Sequence, residues 1–164
     1  MVFVGIPKIP TLLIMADLIT VNEYKDAEGL RGEKDDDRLF VMIPLVSDLV
    51  KKYCATSFVD YYSTDKVETF TINDNYTTTI TMSESPLVNV DIVQERSQYG
   101  VAYETLTTTD FEYYVDLESD AIIRTNKQGN TRPWAQGVGS VKITYNAGYV
   151  APPRDCLTLC SSFK

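Results

Sequence analysis

The stretch Ser140–Cys156, SVKITYNAGYVAPPRDC, constrains the fold more than any other part of the chain. Val141, Ile143 and Tyr145 alternate with Ser140, Lys142, Thr144 and Asn146, and that period of two is expected of a half-buried strand. Asn146-Ala147-Gly148 breaks the alternation. Gly148 is expected at a positive φ, which a residue with a Cβ would resist. Pro152 and Pro153 then impose an extended entry and a fixed φ at the first helical turn. Leu157, Cys160 and Phe163 recur at helical spacing. A chain with this order of signals ends a sheet and sends a helix away from it in a fixed direction.

The segment from Phe58 to Asn146 supplies the sheet. Phe70 and Ile72 alternate with threonines; Ile80 and Met82 do the same. Asn73-Asp74-Asn75 between them predicts a hairpin turn. Pro86 precedes the row Val88, Val90, Ile92. After a polar loop around Tyr99-Gly100 come Phe111, Tyr113, Val115 and Leu117, then turns at Ser119-Asp120 and Lys127-Gln128-Gly129-Asn130 flanking Ala121–Arg124. The chain has 11 tyrosines and recurrent threonines, both of which favour strands. Alternation this regular predicts antiparallel sheet with one wet face.

Two helices precede the sheet. Thr20-Val21-Asn22-Glu23 is a capping-box pattern opening a short helix to about Ala27, ended by Gly29 and Gly32. Asp35-Asp36-Asp37 opens a second, with one aspartate as its cap and all three favouring the positive end of the helix dipole. That helix is expected over 37–54. Leu39, Met42, Ile43, Val46, Leu49, Val50 and Tyr53 make one apolar stripe that should pack on the sheet, and Pro44 should bend the axis. The predicted fold class is α+β: a short helix and a longer Pro-kinked helix on an antiparallel β-rich domain, with a C-terminal helix after the Gly/Pro exit. The expected divisions are an extension or arm at 1–16, the domain at 17–150 and the terminal helix at 151–164. Residues 1–15 are apolar, but Gly5, Pro7, Lys8 and Pro10 interrupt them. They are too short to span a membrane, and no basic region or cleavage site marks a signal peptide.

Charge narrows the function. Residues 1–119 carry 9 Lys/Arg against 21 Asp/Glu, whereas residues 120–164 carry 6 against 2. An acidic body disfavours tight nucleic-acid binding, which needs cations against phosphates. The basic end would suit an acidic neighbour. The sequence contains no histidine, the commonest general base and metal ligand. Cys54, Cys156 and Cys160 make no disulfide framework and fit a protein made in a cytoplasm. Cys156 and Cys160 amount to half a metal site at most, and buried apolar cysteine is the preferred reading. The three aspartates at 35–37 lack the spaced ligands of a calcium loop. No cofactor or metal is expected.

The order of motifs carries a resemblance. "LITVNEYKD", "DDDRLFVMIPLVSDLVKKYC", "SFVDYY", "SPLVNVDIV", "DFEYYVDLESDAIIR" and "VKITYNAGYVAPP" succeed one another over residues 17–160, with Trp134 before the last. This series resembles the head–tail connector (adaptor) proteins of long-tailed bacteriophages. The resemblance implies a structural component of the virion neck. It would be a dodecameric ring docked on the portal, passing DNA through its channel without specific binding and meeting a downstream head-closure or tail neck protein. It places the C-terminal segment in the portal, so Arg154, Leu157, Cys160 and Phe163 are the portal-contact candidates. In that family the terminal helix commonly runs into a longer tail, whereas this sequence ends at Lys164. Within a ring, the charge division makes Arg124, Lys127 and Arg132 the candidates for meeting the acidic part of the next copy.

Enzyme signatures are weak. No nucleophile elbow or phosphate loop occurs, and Gly137-Val138-Gly139 is two glycines in a loop. Glu112, Asp116 and Glu118 share a strand face and could line an acid–base cleft; a wet strand face is the preferred reading. The alternatives to a neck ring are a β-rich ligand- or glycan-binding module of a virion or tail and, behind it, a small carboxylate hydrolase.

Overall fold

The computed structural model describes residues 16–152. Of the expected arm at 1–16, residues 1–15 lie outside them. So does the terminal helix, with Pro153, Arg154, Leu157, Cys160 and Phe163.

Helix α1 (Val21–Glu28) opens on the expected capping box. The Glu23 backbone N–H donates to the Thr20 hydroxyl, and the Thr20 N–H donates to the Glu23 carboxylate at 2.8 Å. Gly29 closes the helix in the left-handed conformation, which a glycine adopts at no steric cost. Helix α2 (Asp36–Cys54) runs unbroken through Pro44. Asp35 stands at its N-cap position but makes no side-chain cap bond. Asp36 instead forms an ion pair at 2.6 Å with Lys25, tying α2 to α1.

Among the described residues, seven strands form two antiparallel sheets. The larger has the order β1 (Lys66–Ile72), β7 (Gly137–Ala147), β3 (Leu87–Glu95), β4 (Glu104–Leu106); the smaller has the order β2 (Thr79–Thr81), β6 (Ala121–Arg124), β5 (Tyr113–Asp116). One apolar core joins them. It takes Val93, Leu106, Val141, Ile143 and Tyr145 from the larger sheet, Ile80 and Ile122 from the smaller, and the fully enclosed Trp134 from the loop before β7. β7 lies between β1 and β3, and its alternation buries Val141, Ile143 and Tyr145 completely.

Four expectations change. The turn at 73–75 forms, with the Asp74 carboxylate accepting from the Tyr76 and Thr77 N–H groups. It joins no hairpin, however, because β1 pairs with β7 and β2 with β6. Nor do Val88, Val90 and Ile92 share a buried face. Register shifts at Leu87/Asn89 and Val90/Ile92 re-phase the strand, so Leu87, Val93 and Glu95 point inward while Val88 and Ile92 are exposed. The short strand β4 falls in a region that reads as loop in the sequence.

The fourth change concerns α2. Its buried residues Ile43 and Val50 pack with Leu18, Ile19 and Phe58, a cluster separate from the sheet core. Met42, Leu49 and Tyr53, expected in the buried stripe, are exposed.

Candidate functional site

Three structural features bear on assembly: the exit of β7, the positions of the candidate charges, and the outward face of α2.

The exit is clamped onto the loop after α2. Gly148 has φ +104°, and a Cβ built there would lie 2.2 Å from the Phe58 carbonyl oxygen. The same oxygen accepts the Tyr149 N–H at 2.7 Å, the Gly148 N–H donates to the Pro86 carbonyl, and the Ala147 N–H to the Tyr61 carbonyl. Glycine is therefore needed both for its φ and for the close backbone approach. Pro152 comes next, partly buried, at the limit of the described residues.

A polar network underlies this junction. Glu84 is buried and accepts from the Ser57 N–H, the Ser57 and Thr56 hydroxyls and the Lys66 ammonium. Lys66 also pairs with Glu68 at 2.9 Å, and the Ser83 hydroxyl donates to Glu68. Burial disfavours the ionised form of Glu84. The Ser57 backbone bond, the Lys66 and Ser57 side-chain bonds and the nearby Lys66 charge outweigh that burial and hold the carboxyl below its ordinary range. Glu68 is lowered in the same manner: burial opposes it, and the Ser83 and Lys66 contacts prevail. Lys66 is raised, its partners overcoming its own burial. Lys66 also donates to the Ser83 hydroxyl at 2.6 Å, so the group links the start of β1 to the 83–84 segment and the loop after α2.

The three basic candidates separate. Arg124 is 3% exposed. Its guanidinium pairs with Glu95 at 2.9 Å, donates to the Glu112 carbonyl and lies over the Trp134 ring. Glu95 in turn accepts the Ala135 N–H. An arginine spent inside its own chain is not placed to meet a neighbour, so Arg124 leaves the set. Lys127 and Arg132 are exposed on the turn after β6, and Lys127 makes only a loose contact of 3.6 Å with Asp110.

The carboxylate row is taken up locally. Glu112 accepts the Thr107 N–H, and Asp116 caps the turn through Ser119 and the Glu118 N–H. Among the described residues, no group of His, Cys, Asp or Glu is arranged to hold a metal ion, and no helix is long and apolar enough to cross a membrane.

The feature that sequence reasoning missed is the outer face of α2. Val41, Met42, Leu45, Leu49 and Tyr53 are all exposed there, Tyr53 at 89%. The signal was present. At about 100° per residue, the apolar positions from Val41 round to Ile43 span about 200° of the circumference, with Phe40 beyond them, twice the width of a stripe packed on one core.

The fold is thus a two-sheet β domain with a helical pair whose outer face carries an exposed apolar stripe. The head completion protein family model matches residues 17–159, and the chain belongs to that family. This bears out the head–tail connector resemblance drawn from the motifs, and with it a place in the virion neck. Among solved structures, a chain from "Neck of empty GTA particle computed with C6 symmetry" shares the fold at a TM-score of 0.59. The two are 15% identical, and the match covers 88% of this chain and 74% of that one. No curated protein matches the sequence.

Proposed function

We propose that this protein is a ring-forming head–tail connector that docks on the portal and lets DNA through its channel, with no catalysis of its own. The observation that carries the reading is the head completion family match over almost the whole domain. The fold likeness to a chain in a six-fold symmetric neck supports a ring. A ring requires a head-to-tail interface that repeats around an axis. Twelve copies is the number the connector resemblance implies. Portal contact is assigned to Arg154, Leu157, Cys160 and Phe163, which continue from the clamped exit of β7. The body would then meet the downstream head-closure or tail neck protein.

DNA passage asks for weak interaction. Each phosphate neutralised by a cation adds to binding, so a channel wall that lets DNA slide must offer few unpaired cations. The net charge of −8 suits that role.

The test is assembly with and without the terminal segment. The full chain, imaged by negative stain alone and with its portal, should form closed rings and co-sediment with portal. Removal of residues 154–164 should abolish co-sedimentation while the domain keeps its melting point. Unimpaired capture would move the portal contact elsewhere, and a failure to form rings under any condition would overturn the connector reading.

A further inference from the structure

We infer that the ring interface is formed by the outer stripe of α2 in one copy and a groove on the small sheet of the next. This rests on the ring reading above and names the surfaces that close it.

The stripe consists of Val41, Met42, Leu45, Leu49 and Tyr53, with Leu45 65% exposed and Leu49 53%. Five large apolar groups on adjacent turns of one helix form a contiguous patch, and contiguous apolar patches mark interaction sites where scattered exposed residues do not. The opposite face of the same helix is already occupied by Leu18, Ile19 and Phe58. Asp37 and Asp48 lie along one edge of the stripe, and neither forms an ion pair among the described residues. Arg38 and Lys52 lie within it, where their aliphatic stems extend the apolar surface.

The second patch is a shallow groove lined by Phe111, Tyr114, Ile123 and Thr131 on the side of the small sheet away from the core. Phe111 is 61% exposed and Tyr114 59%. Phe111 is held outward by a backbone φ of +55°, closed by its N–H bond to the Thr108 carbonyl. Lys127 and Arg132 stand at the turn that borders the groove; Lys127 is 3.6 Å from Asp110, and Arg132 forms no ion pair among the described residues.

The occupant of each patch is indicated by the other. One chain carries both an apolar ridge with an acidic edge and an apolar groove with a basic edge. The ridge is a helix of 19 residues, so it is a rigid body that can enter a groove without being ordered first. Opposite charges at the two edges fix the direction in which ridge meets groove and disfavour ridge-to-ridge pairing, where Asp37 and Asp48 would face their own kind. Two different patches that complement each other make a heterologous contact, the kind that closes into a ring. A second copy of this chain is therefore the partner.

The experiment uses full-length chains and reads particle mass by sedimentation and light scattering at low salt, with a melting curve for each variant. Wild type should form rings. The stripe variant L45K/L49K and the groove variant F111D/Y114D should each be monomeric with unchanged melting points. Mixed together they should form a heterodimer and nothing larger, because the first still has its groove and the second its stripe, which leaves one good interface between them. Rings from the stripe variant alone would overturn this interface while leaving the ring reading intact. Self-association of the groove variant would mean stripe-to-stripe contact, and would also overturn it. A stripe variant that loses its melting point would show that the chain's own residues cover α2, again against the proposal. Absence of rings from wild type, alone and on portal, would remove the ring reading itself.

Discussion

Replacing Gly148 by alanine should be among the most damaging single changes in the domain, for two separable reasons. The first is conformational: φ +104° places a Cβ-bearing residue in a region that costs about 1–2 kcal/mol. The second is steric. The new Cβ would lie 2.2 Å from the Phe58 carbonyl oxygen, where ordinary contact begins near 3.4 Å. The obstacle is backbone, so no side chain can rotate away. Either the exit of β7 or the loop after α2 must retreat by about 1 Å, at the density of a packed interior. That retreat breaks the 2.7 Å bond from the Tyr149 N–H to the Phe58 carbonyl, at a further cost of about 0.5–1.5 kcal/mol. Together with the strain of the displacement, the loss should reach about 2–4 kcal/mol. For a chain of this size that is a fall in melting temperature of about 5–15 °C.

The control separates the two reasons. Gly100 and Gly129 also have positive φ, +87° and +77°, but a Cβ at either meets nothing within 4 Å. Alanine at those positions incurs the conformational cost alone, about 1–2 kcal/mol. Thermal melts of the three variants, monitored by circular dichroism, decide the matter. If Gly148→Ala melts no lower than Gly129→Ala, the close approach to Phe58 contributes nothing and the clamp is not a structural necessity.

Three further outcomes are expected. Replacing Arg124 by methionine leaves the Glu95 carboxylate buried without its cation and should cost about 3–5 kcal/mol in a chemical denaturation curve, whereas the K127E/R132E variant should stay within about 0.5 kcal/mol of wild type while assembling less well at low salt. Glu84 and Glu68 titrate below their ordinary value of 4.5 in the folded chain, so their stabilisation is present above that pH and lost as pH falls through the folded values; melting temperature should drop steeply below about pH 4.5, and the drop should be shallower in Glu84→Gln. Duplex DNA should show only weak, salt-sensitive retention near 0.15 M salt, in keeping with the acidic body; a filter-binding signal at nanomolar protein would contradict that.

Local signals are legible in the sequence. The capping box at Thr20 and Glu23, the turns at 73–75 and 127–130, and the buried row of β7 each depend on side-chain identity within a few residues. Partnership between strands is not. The hairpin expected across 73–75 fails because a turn residue specifies where the chain bends, whereas the sheet a strand joins depends on which distant strand covers its edge. Val88, Val90 and Ile92 mislead for a related reason: a bulge adds a residue to the count and shifts a period-two pattern to the other face. Arg124 misleads in the opposite direction. It reads as surface charge because nothing nearby pairs with it, yet its partner Glu95 lies 29 residues away. The apolar arc on α2 is visible in the sequence at its full breadth, and it is wide enough for two partners rather than one.

The loop after α2 has a role that no single motif announces. Asp60 forms a buried pair with Lys51 at 2.7 Å, and both hold Ala16: Asp60 accepts its N–H and Lys51 donates to its carbonyl. Two residues back along the same loop, the Phe58 carbonyl takes the Tyr149 N–H. Both ends of the described chain are therefore anchored on residues 58–60. One short segment therefore holds both Ala16 and Tyr149, and it is itself held by the helical cluster through Phe58 and, through the preceding Ser57, by the Glu84 network. Under the portal contact proposed above, loosening the segment, as Asp60→Asn would by weakening the Lys51 pair, should release Ala16 and Tyr149 together and lower portal capture and melting point together. Removal of 154–164 should lower capture alone, and that contrast would distinguish an anchor from a contact.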